Sequence, residues 1–245
     1  MTRLAFAHAR AQVLYYAGYP AYTAPTILFP ALFFFLFVTP RSQLRHEAKL
    51  FAAGYLGFAA LAVAFFQFGV GTAAERTTPW ETYVRTLPAS AFARIVGRSL
   101  AAIPFVLAAC GVVLAIAIAT TPARFSFVEI ASLFVATFAG CVPFVLFGFA
   151  LGYWVSPRGA LPLANLLYLV LSFAGGLWTT SRHLPGAVAN VSPVLPTRLY
   201  ANVLWAAARA QWPRAASIAG LSAYGAVFAL LAVWGYRRDE GERFR

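Results

Sequence analysis

Long apolar runs alternate with short polar segments along almost the whole chain. About twenty apolar residues in a helix cross a hydrocarbon core roughly 30 Å thick, because each residue adds about 1.5 Å. The pattern predicts an all-α polytopic membrane protein whose six transmembrane helices cover residues 22–38, 50–70, 99–120, 127–155, 160–178 and 215–236. The fourth run is longer than one crossing needs, and tilt or a kink at Pro143 accommodates the excess.

Two segments outside these runs have mixed polarity. Residues 2–19 place Arg3 and Arg10 beside an apolar stripe, which is typical of a helix that lies in the membrane interface. Residues 179–213 contain several prolines and a helical pattern that is too short to cross the bilayer. We therefore expect an N-terminal interfacial helix and, before the last span, an outer region of short re-entrant or interfacial helices.

The segment 72–98 is the longest polar interruption in the first part of the chain. Within it, Thr78 is a predicted N-cap, Pro79 takes the first helical position and Glu81 takes the third. This combination satisfies the free N–H groups at a helix start. Pro88 ends the pattern. The sequence thus predicts a short helix whose flanking spans hold it at one face of the membrane.

The predicted short helix has two different faces. Glu81 and Arg85 lie one turn apart on the polar side, whereas Trp80, Val84 and Leu87 form the apolar side. One interpretation is a helix that docks onto a soluble partner and transmits force from it. The alternative is an ordinary solvated loop helix, and spacing alone does not separate the two.

Composition excludes a soluble domain. The 245 residues are 61% hydrophobic and 11% charged, whereas soluble domains carry roughly 25% charged residues. The net charge of +12 does not indicate nucleic-acid binding, because the basic residues stand at the ends of apolar runs and form no continuous stripe. Lys49 is the only lysine and lies outside any G-x-x-x-x-G-K-[ST] pattern, so the sequence predicts no phosphate-binding loop and no ATP site of that type.

Six spans place both termini on one side of the membrane. If that side is the cytoplasm, eleven basic residues fall on the inner segments and eight on the outer ones, a weak bias that the basic segment 41–49 opposes. We expect both termini in the cytoplasm and the first run to be a retained span, because no A-x-A cleavage site follows it. Arg94 and Arg98, one turn apart at the foot of the third run, are expected to extend their side chains to the lipid headgroups.

Candidates for chemistry are few. Glu129 near the start of the fourth run is a candidate intramembrane acid, either for proton relay or as a boundary carboxylate that reaches water. Cys110 and Cys141 fall inside apolar runs without a histidine or acid at ligand spacing, so we expect neither a disulfide nor a metal site. The sequence contains no Ser/His/Asp or HExxH arrangement, and an intramembrane protease or transferase is poorly supported.

The order of these parts resembles the membrane subunit of ABC-2-type transporters, the six-span permeases of drug, lipid and polysaccharide exporters. The resemblance covers nearly the whole chain. It depends on the interfacial helix before span one, on Ala74-Glu75-Arg76 followed by WETYVRTLP at 80–88, and on LP at 184–185 followed by PVLPTRLY at 193–200.

The resemblance implies a permease of the inner membrane that forms a homodimer or pairs with a sister permease. It also implies two separate ATP-binding-cassette ATPase subunits on the cytoplasmic side, which bind the ATP, so that no cofactor is expected in this chain. The implied ATPase-coupling residues are Glu75, Arg76, Thr78, Trp80, Glu81, Val84, Arg85 and Leu87. The residues of the implied outer re-entrant region are Leu184, Pro185, Pro193, Pro196 and Tyr200.

Low buried charge favours a hydrophobic, amphiphilic or lipid-linked substrate that moves along aromatic and aliphatic walls. Two other classes of function stay open from the residues alone. One is an ATP-independent channel or proton-coupled carrier, and the other is a membrane assembly factor that transports nothing. Copurification with a P-loop ATPase distinguishes the permease from both.

Overall fold

The computed structural model describes residues 2–40, 44–79, 91–179 and 184–243, and every regular element in these ranges is helical. The all-helical fold class is therefore confirmed for the described part of the chain. In order, the elements are α1 Thr2–Ala17, α2 Pro20–Phe37, α3 Arg45–Val63, a π-helical segment Ala64–Val70, α4 Gly71–Glu75, α5 Ala91–Thr120, α6 Phe127–Trp154, α7 Pro157–Ala174, α8 Gly186–Val191, a 3₁₀ turn Ser192–Val194, α9 Pro196–Ala207 and α10 Ala215–Arg243.

Four helices in the described ranges are long and apolar enough to cross a membrane. They correspond to the second, third, fourth and sixth predicted spans. The candidates are Arg45–Glu75, Ile95–Thr120, Phe127–Trp154 and Ala215–Glu240. Helices α2 and α7 have 18 residues each, within the range of about 17–25 that a crossing needs, but they are not among these four candidates. The six-span count therefore stays a prediction for these two helices.

The second predicted span lies within a longer continuous helix. It begins at Arg45, before the predicted start at residue 50, and runs through the π-helical segment to Glu75. Part of the predicted polar connection 41–49 is therefore the first turn of a helix. Glu47 in that turn suits the positive end of the helix dipole. The third helix likewise begins inside the predicted polar segment, at Ala91.

The helix Arg45–Glu75 is the centre of the bundle. Its most apolar window is 89% buried, compared with 22% for that of Ala215–Glu240. The ring of Phe58 stacks on Tyr168 of α7 with centroids 4.5 Å apart. The thiols of Cys110 and Cys141 each donate a hydrogen bond, 3.6 Å long, to a backbone carbonyl of this helix. Helices α2, α5, α6, α7 and α9 thus surround a single central helix.

Two glycines of α6 bring its backbone against the central helix. A Cβ added at Gly148 would lie 2.3 Å from the carbonyl oxygen of Ala64, and one at Gly152 would lie 2.6 Å from Cβ of Thr72. Such distances are far shorter than a van der Waals contact, so only glycine fits. The GxxxG spacing of these residues therefore reflects close helix packing, as such motifs do in other membrane helices. This contact holds the π-helical segment and α4 against α6.

Short helices precede the last predicted span. Pro185 immediately precedes α8, Pro193 lies in the 3₁₀ turn and Pro196 is the first residue of α9. Tyr200 of α9 is fully buried and donates a hydrogen bond to the carbonyl oxygen of Thr137 in α6, at 2.9 Å. At 12 residues, or about 18 Å, α9 is too short to cross. Helix α10 continues beyond the predicted end of the last span, through the charged tail to residue 243.

Candidate functional site

An ion pair joins the two ends of the polar segment between α4 and α5. Arg98 Nη1 lies 2.9 Å from Glu75 Oε2, and Nη2 lies 3.2 Å from Glu75 Oε1, so the contact is bidentate. Arg98 is only 7% exposed. Bidentate pairs between arginine and carboxylate fix geometry as well as adding energy. The end of the bundle that contains this pair is called the Glu75 end below.

The burial of Arg98 corrects the expectation that its guanidinium group reaches the lipid headgroups. Instead, its Nη2 atom also donates a hydrogen bond, at 2.7 Å, to the backbone carbonyl of Gln67 within the π-helical segment. Hydrogen bonds in a π-helix run from i to i+5 and widen the turn, and such segments are common at functional sites. Local sequence spacing did not reveal this contact, because Glu75 and Gln67 are 23 and 31 residues away from Arg98.

Tyr16 connects the N-terminal helix to the same ion pair. Its hydroxyl donates to Glu75 Oε1 at 3.2 Å, and Arg98 Nη2 lies 3.5 Å from the same hydroxyl oxygen. Burial raises the pKa of Tyr16 to about 12. The phenol therefore stays protonated near neutral pH and remains a donor. As a result, α1, α4 and α5 meet at one small polar cluster.

A second ion pair connects the end of α4 to the C-terminal helix. Arg76 Nη1 lies 2.6 Å from Asp239 Oδ1, and Arg76 Nη2 donates to the carbonyl oxygen of Val155 at 3.1 Å. Asp239 is only 6% exposed. This pair links α4 to α10 and to the C-terminal end of α6. The sequence did not reveal it, because the residues are 163 positions apart and Asp239 lies in a charged tail.

The extended end of α10 also packs on α6. Trp154 Nε1 donates to the carbonyl oxygen of Leu231 at 2.9 Å, and its ring meets Trp234 with centroids 4.7 Å apart. The guanidinium group of Arg238 lies 5.4 Å above the Trp154 ring, a distance at which a cation is attracted to an aromatic face. The tail therefore continues the helix bundle at the Glu75 end.

The predicted coupling residues fall partly within the described chain. Glu75 and Arg76 are anchored by the two ion pairs, and the hydroxyl of Thr78 donates to the carbonyl oxygen of Glu75 at 2.7 Å. The hydroxyl of Thr78, the predicted N-cap, thus contacts the C-terminal end of α4. The remaining predicted coupling residues, Trp80, Glu81, Val84, Arg85 and Leu87, lie outside the described residues.

Beside the Glu75 ion pair, a cavity of about 430 Å³ opens between α1, α2, the central helix and α7. Aromatic side chains such as Phe29 and Tyr168 form much of its wall, with Thr26, Asn165 and Glu75 as polar groups. A mostly apolar wall with a few polar groups is typical of sites for small organic molecules. The polar cluster and this cavity therefore share a boundary.

Glu129 lies at the opposite end of the bundle, in the first turn of α6. Its carboxylate accepts a hydrogen bond from the backbone N–H of Ser126, whose hydroxyl in turn accepts from the N–H of Glu129, which forms a capping box. Lys49 Nζ lies 2.5 Å from Glu129 Oε1. Both carboxylate oxygens thus have partners, which favours a structural role at the helix start. A proton-relay role stays a prediction without support from this geometry.

The family model described as ABC-2 type transporter matches residues 4–207, which is most of the chain. The chain belongs to the ABC-2 type transporter family. This ABC-2 permease is 24% identical over 223 residues to "Putative transport permease YvfS" of Bacillus subtilis (strain 168), a match that covers 88% of this chain and 89% of that relative. No solved structure is significantly similar to this chain.

Family membership confirms the resemblance based on the order of the parts. The ABC-2 permease is a multi-pass membrane protein of a transport family rather than an enzyme family. Membership also implies an ATPase partner in general. The Glu75 end therefore becomes the candidate site for coupling, because the predicted partner-binding segment begins and ends there.

Proposed function

We propose that this chain is the membrane subunit of an ATP-driven exporter whose separate ATPase subunits bind at the Glu75 end. The observation that carries the proposal is the bidentate ion pair between Glu75 and Arg98. This pair connects the two ends of the polar segment directly to each other. A force applied to the segment therefore moves α4 and α5 together.

Two further contacts distribute such a force through the bundle. Tyr16 ties α1 to Glu75, and Asp239 ties α10 to Arg76. The glycine contact at Gly148 holds α6 against the π-helical segment just above α4. Helices α1, α5, α6 and α10 are thus connected by short polar or backbone contacts to the central helix or to Arg76 directly after it. This connectivity supports the coupling of ATPase movement to the transmembrane helices.

In the proposed orientation the protein lies in the inner membrane, with the Glu75 end and both termini in the cytoplasm. Helices α2 and α7 complete six spans, with their flanking residues in the interface. The cavity of about 430 Å³, with its aromatic wall, supports a hydrophobic, amphiphilic or lipid-linked substrate. A second copy of this chain, or a sister permease, forms the other wall of the translocation path.

Copurification and transport together test this function. We expect a P-loop ATPase to copurify with the permease, and Glu81→Ala combined with Arg85→Ala to release it while the permease still elutes as a folded species. Transport in sealed vesicles should require ATP. Full ATP-independent transport by the purified permease would refute the proposal.

A single variant addresses the proton-coupled alternative. Glu129→Gln removes the titratable group but retains a side chain of the same shape. We expect ATP-driven transport to continue with this variant, since the carboxylate of Glu129 is engaged in the capping box and with Lys49. Loss of transport with normal assembly would instead favour a proton-coupled carrier.

A further inference from the structure

A large crevice lies between α6, α9 and α10 at the end of the bundle opposite Glu75. Its volume is about 890 Å³. Toward the Glu75 end α6 and α10 are in close contact, since Phe147 stacks on Phe228 with centroids 4.5 Å apart. Toward the other end α9 lies between them, with Leu199 against Gly220. The two long helices therefore separate, and the crevice opens between them.

The walls of the crevice consist mainly of small and apolar side chains. Ala131 and Ala139 of α6 face Ser222 and Gly225 of α10, and Val203 of α9 contributes a third wall. Side chains this short leave the space between the helices unfilled. The volume falls within the range of roughly 300–1,000 Å³ that is typical of sites for organic ligands.

The crevice lies between two candidate membrane spans that have the least buried surfaces of the four. The most apolar windows of Phe127–Trp154 and Ala215–Glu240 are 39% and 22% buried. Much of their surface is therefore not covered by this chain. Where that surface faces the bilayer, hydrocarbon rather than water is the medium next to the crevice. A lipid acyl chain is the apolar group present there in the highest amount.

The mouth of the crevice carries positive charge. Gln211, Trp212 and Pro213 line it, and the indole of Trp212 is 95% exposed. Arg209 and Arg214 stand on either side of these residues and are exposed. Tryptophan and arginine are common at the level of the headgroups, where one part of the side chain meets lipid and another meets water.

These two arginines have no acidic partner in the described part of the chain. The sequence contains no aspartate or glutamate between Glu129 and Asp239. Glu129 is paired with Lys49, and Asp239 lies at the Glu75 end with Arg76. The third ion pair among the described residues joins Arg98 to Glu75, so neither Arg209 nor Arg214 belongs to an ion pair there, and both remain available to an external anion. Guanidinium groups bind phosphate oxygens with particularly strong hydrogen bonds.

We propose that this crevice binds a phospholipid of the surrounding bilayer, with an acyl chain between α6 and α10 and an anionic headgroup at Arg209 and Arg214. The bound lipid fills the space that the small residues leave and completes the contact between α6, α9 and α10. This site is separate from the cavity beside Glu75. It does not depend on the proposed ATPase coupling, only on the membrane location of the chain.

Lipid binding to the detergent-purified permease tests the headgroup site. Native mass spectrometry would compare phosphatidylglycerol with phosphatidylcholine of the same acyl chains. We expect phosphatidylglycerol to be retained at least tenfold more strongly, and Arg209→Gln combined with Arg214→Gln to remove this preference. The matched control is Arg10→Gln combined with Arg158→Gln, which removes the same charge at exposed positions elsewhere. A preference that survives the first pair, or is lost equally with the control pair, overturns the proposal.

The acyl-chain site is tested by filling the crevice. Ala139→Phe places a large side chain inside it, whereas Ala226→Phe makes the same change on an exposed surface of α10 outside it. We expect the first variant to retain less than a third of the lipid bound by the parent chain, and the second to retain an unchanged amount. If Ala139→Phe fails to fold, Ser222→Phe fills the crevice from the other wall. Unchanged lipid binding in the folded crevice variant contradicts the proposal.

Discussion

Glu75 and Arg98 lie on different helices, yet their side chains form a bidentate ion pair with contacts of 2.9 and 3.2 Å. The pair joins α4 to α5 at the two ends of the polar segment that separates these helices. Its guanidinium group also contacts the π-helical segment through the carbonyl of Gln67 and α1 through Tyr16. One buried arginine thus connects the predicted partner-binding segment to three parts of the bundle.

A double-mutant cycle measures the strength of this ion pair. Glu75→Gln leaves the buried charge of Arg98 without its carboxylate, and breaking a buried pair costs about 3–5 kcal/mol. The side chain of Glu75 is 37% exposed, and solvent screening reduces the expected loss to about 1–3 kcal/mol. We expect Glu75→Gln and Arg98→Leu to lower the unfolding temperature in detergent individually, and the double variant to lose less than their sum. Additive losses would show that the two residues do not interact.

The hydroxyl of Tyr16 contributes a hydrogen bond whose strength should not depend on pH near neutrality. Burial raises the pKa of this phenol from 10.0 to about 12. Stability from a raised pKa is fully present below the unfolded pKa of 10.0 and is lost as the pH rises through about 12. We therefore expect Tyr16→Phe to cost about 1 kcal/mol, equally at pH 7 and pH 9. A difference between parent and variant that shrinks over this interval would contradict the assigned protonation state.

Much of the fold can be predicted from the chain because a helix needs only local information. The four long helices coincide with apolar runs. The helix ends were less predictable. Arg45, Glu47 and Lys49 are polar but compatible with a helix, so the polar connection before α3 is shorter than the sequence predicts.

The candidate site depends on contacts between residues far apart in sequence, which spacing does not reveal. Arg98 looked like a headgroup arginine, because a basic residue at the foot of an apolar run usually reaches the interface. Its acidic partner is 23 residues away, and the partner of Arg76 is 163 residues away. A buried charge needs a partner. An arginine at the end of an apolar run therefore indicates an acidic partner elsewhere in the chain, but local spacing does not identify that residue.

The ion pair between Arg76 and Asp239 should hold the C-terminal end of α10 against α4. Asp239→Asn removes the carboxylate that contacts Arg76 Nη1, and we expect trypsin to cleave at Arg237 and Arg238 several-fold faster than in the parent chain. Glu240→Gln is the matched control, because it removes the same charge at the next position. Equal cleavage rates for both variants would argue against anchoring of the tail by this pair.

The close contact of α6 with the central helix is tested by a pair of glycine substitutions. A Cβ at Gly148 would lie 2.3 Å from the carbonyl oxygen of Ala64, whereas one at Gly111 would have no neighbour within 4 Å. Both positions are helical, and alanine favours a helix by up to about 1 kcal/mol over glycine. We expect Gly148→Ala to lower the unfolding temperature by several degrees, and Gly111→Ala to leave it unchanged or raise it. Similar effects at both sites would contradict this helix packing.

The sidedness of the Glu75 end tests the central claim most directly, because ATPase subunits in the cytoplasm must reach it. Thr77 and Gln211 are exposed residues at opposite ends of the bundle, and each can be replaced by cysteine. Both native cysteines are buried, so labelling of the parent chain measures the background reaction with the maleimide. With a membrane-impermeant maleimide, Gln211→Cys should react in intact cells, and Thr77→Cys should react only in inside-out vesicles. Labelling of Thr77→Cys from outside intact cells would place the segment beyond reach of any ATPase and contradict the account.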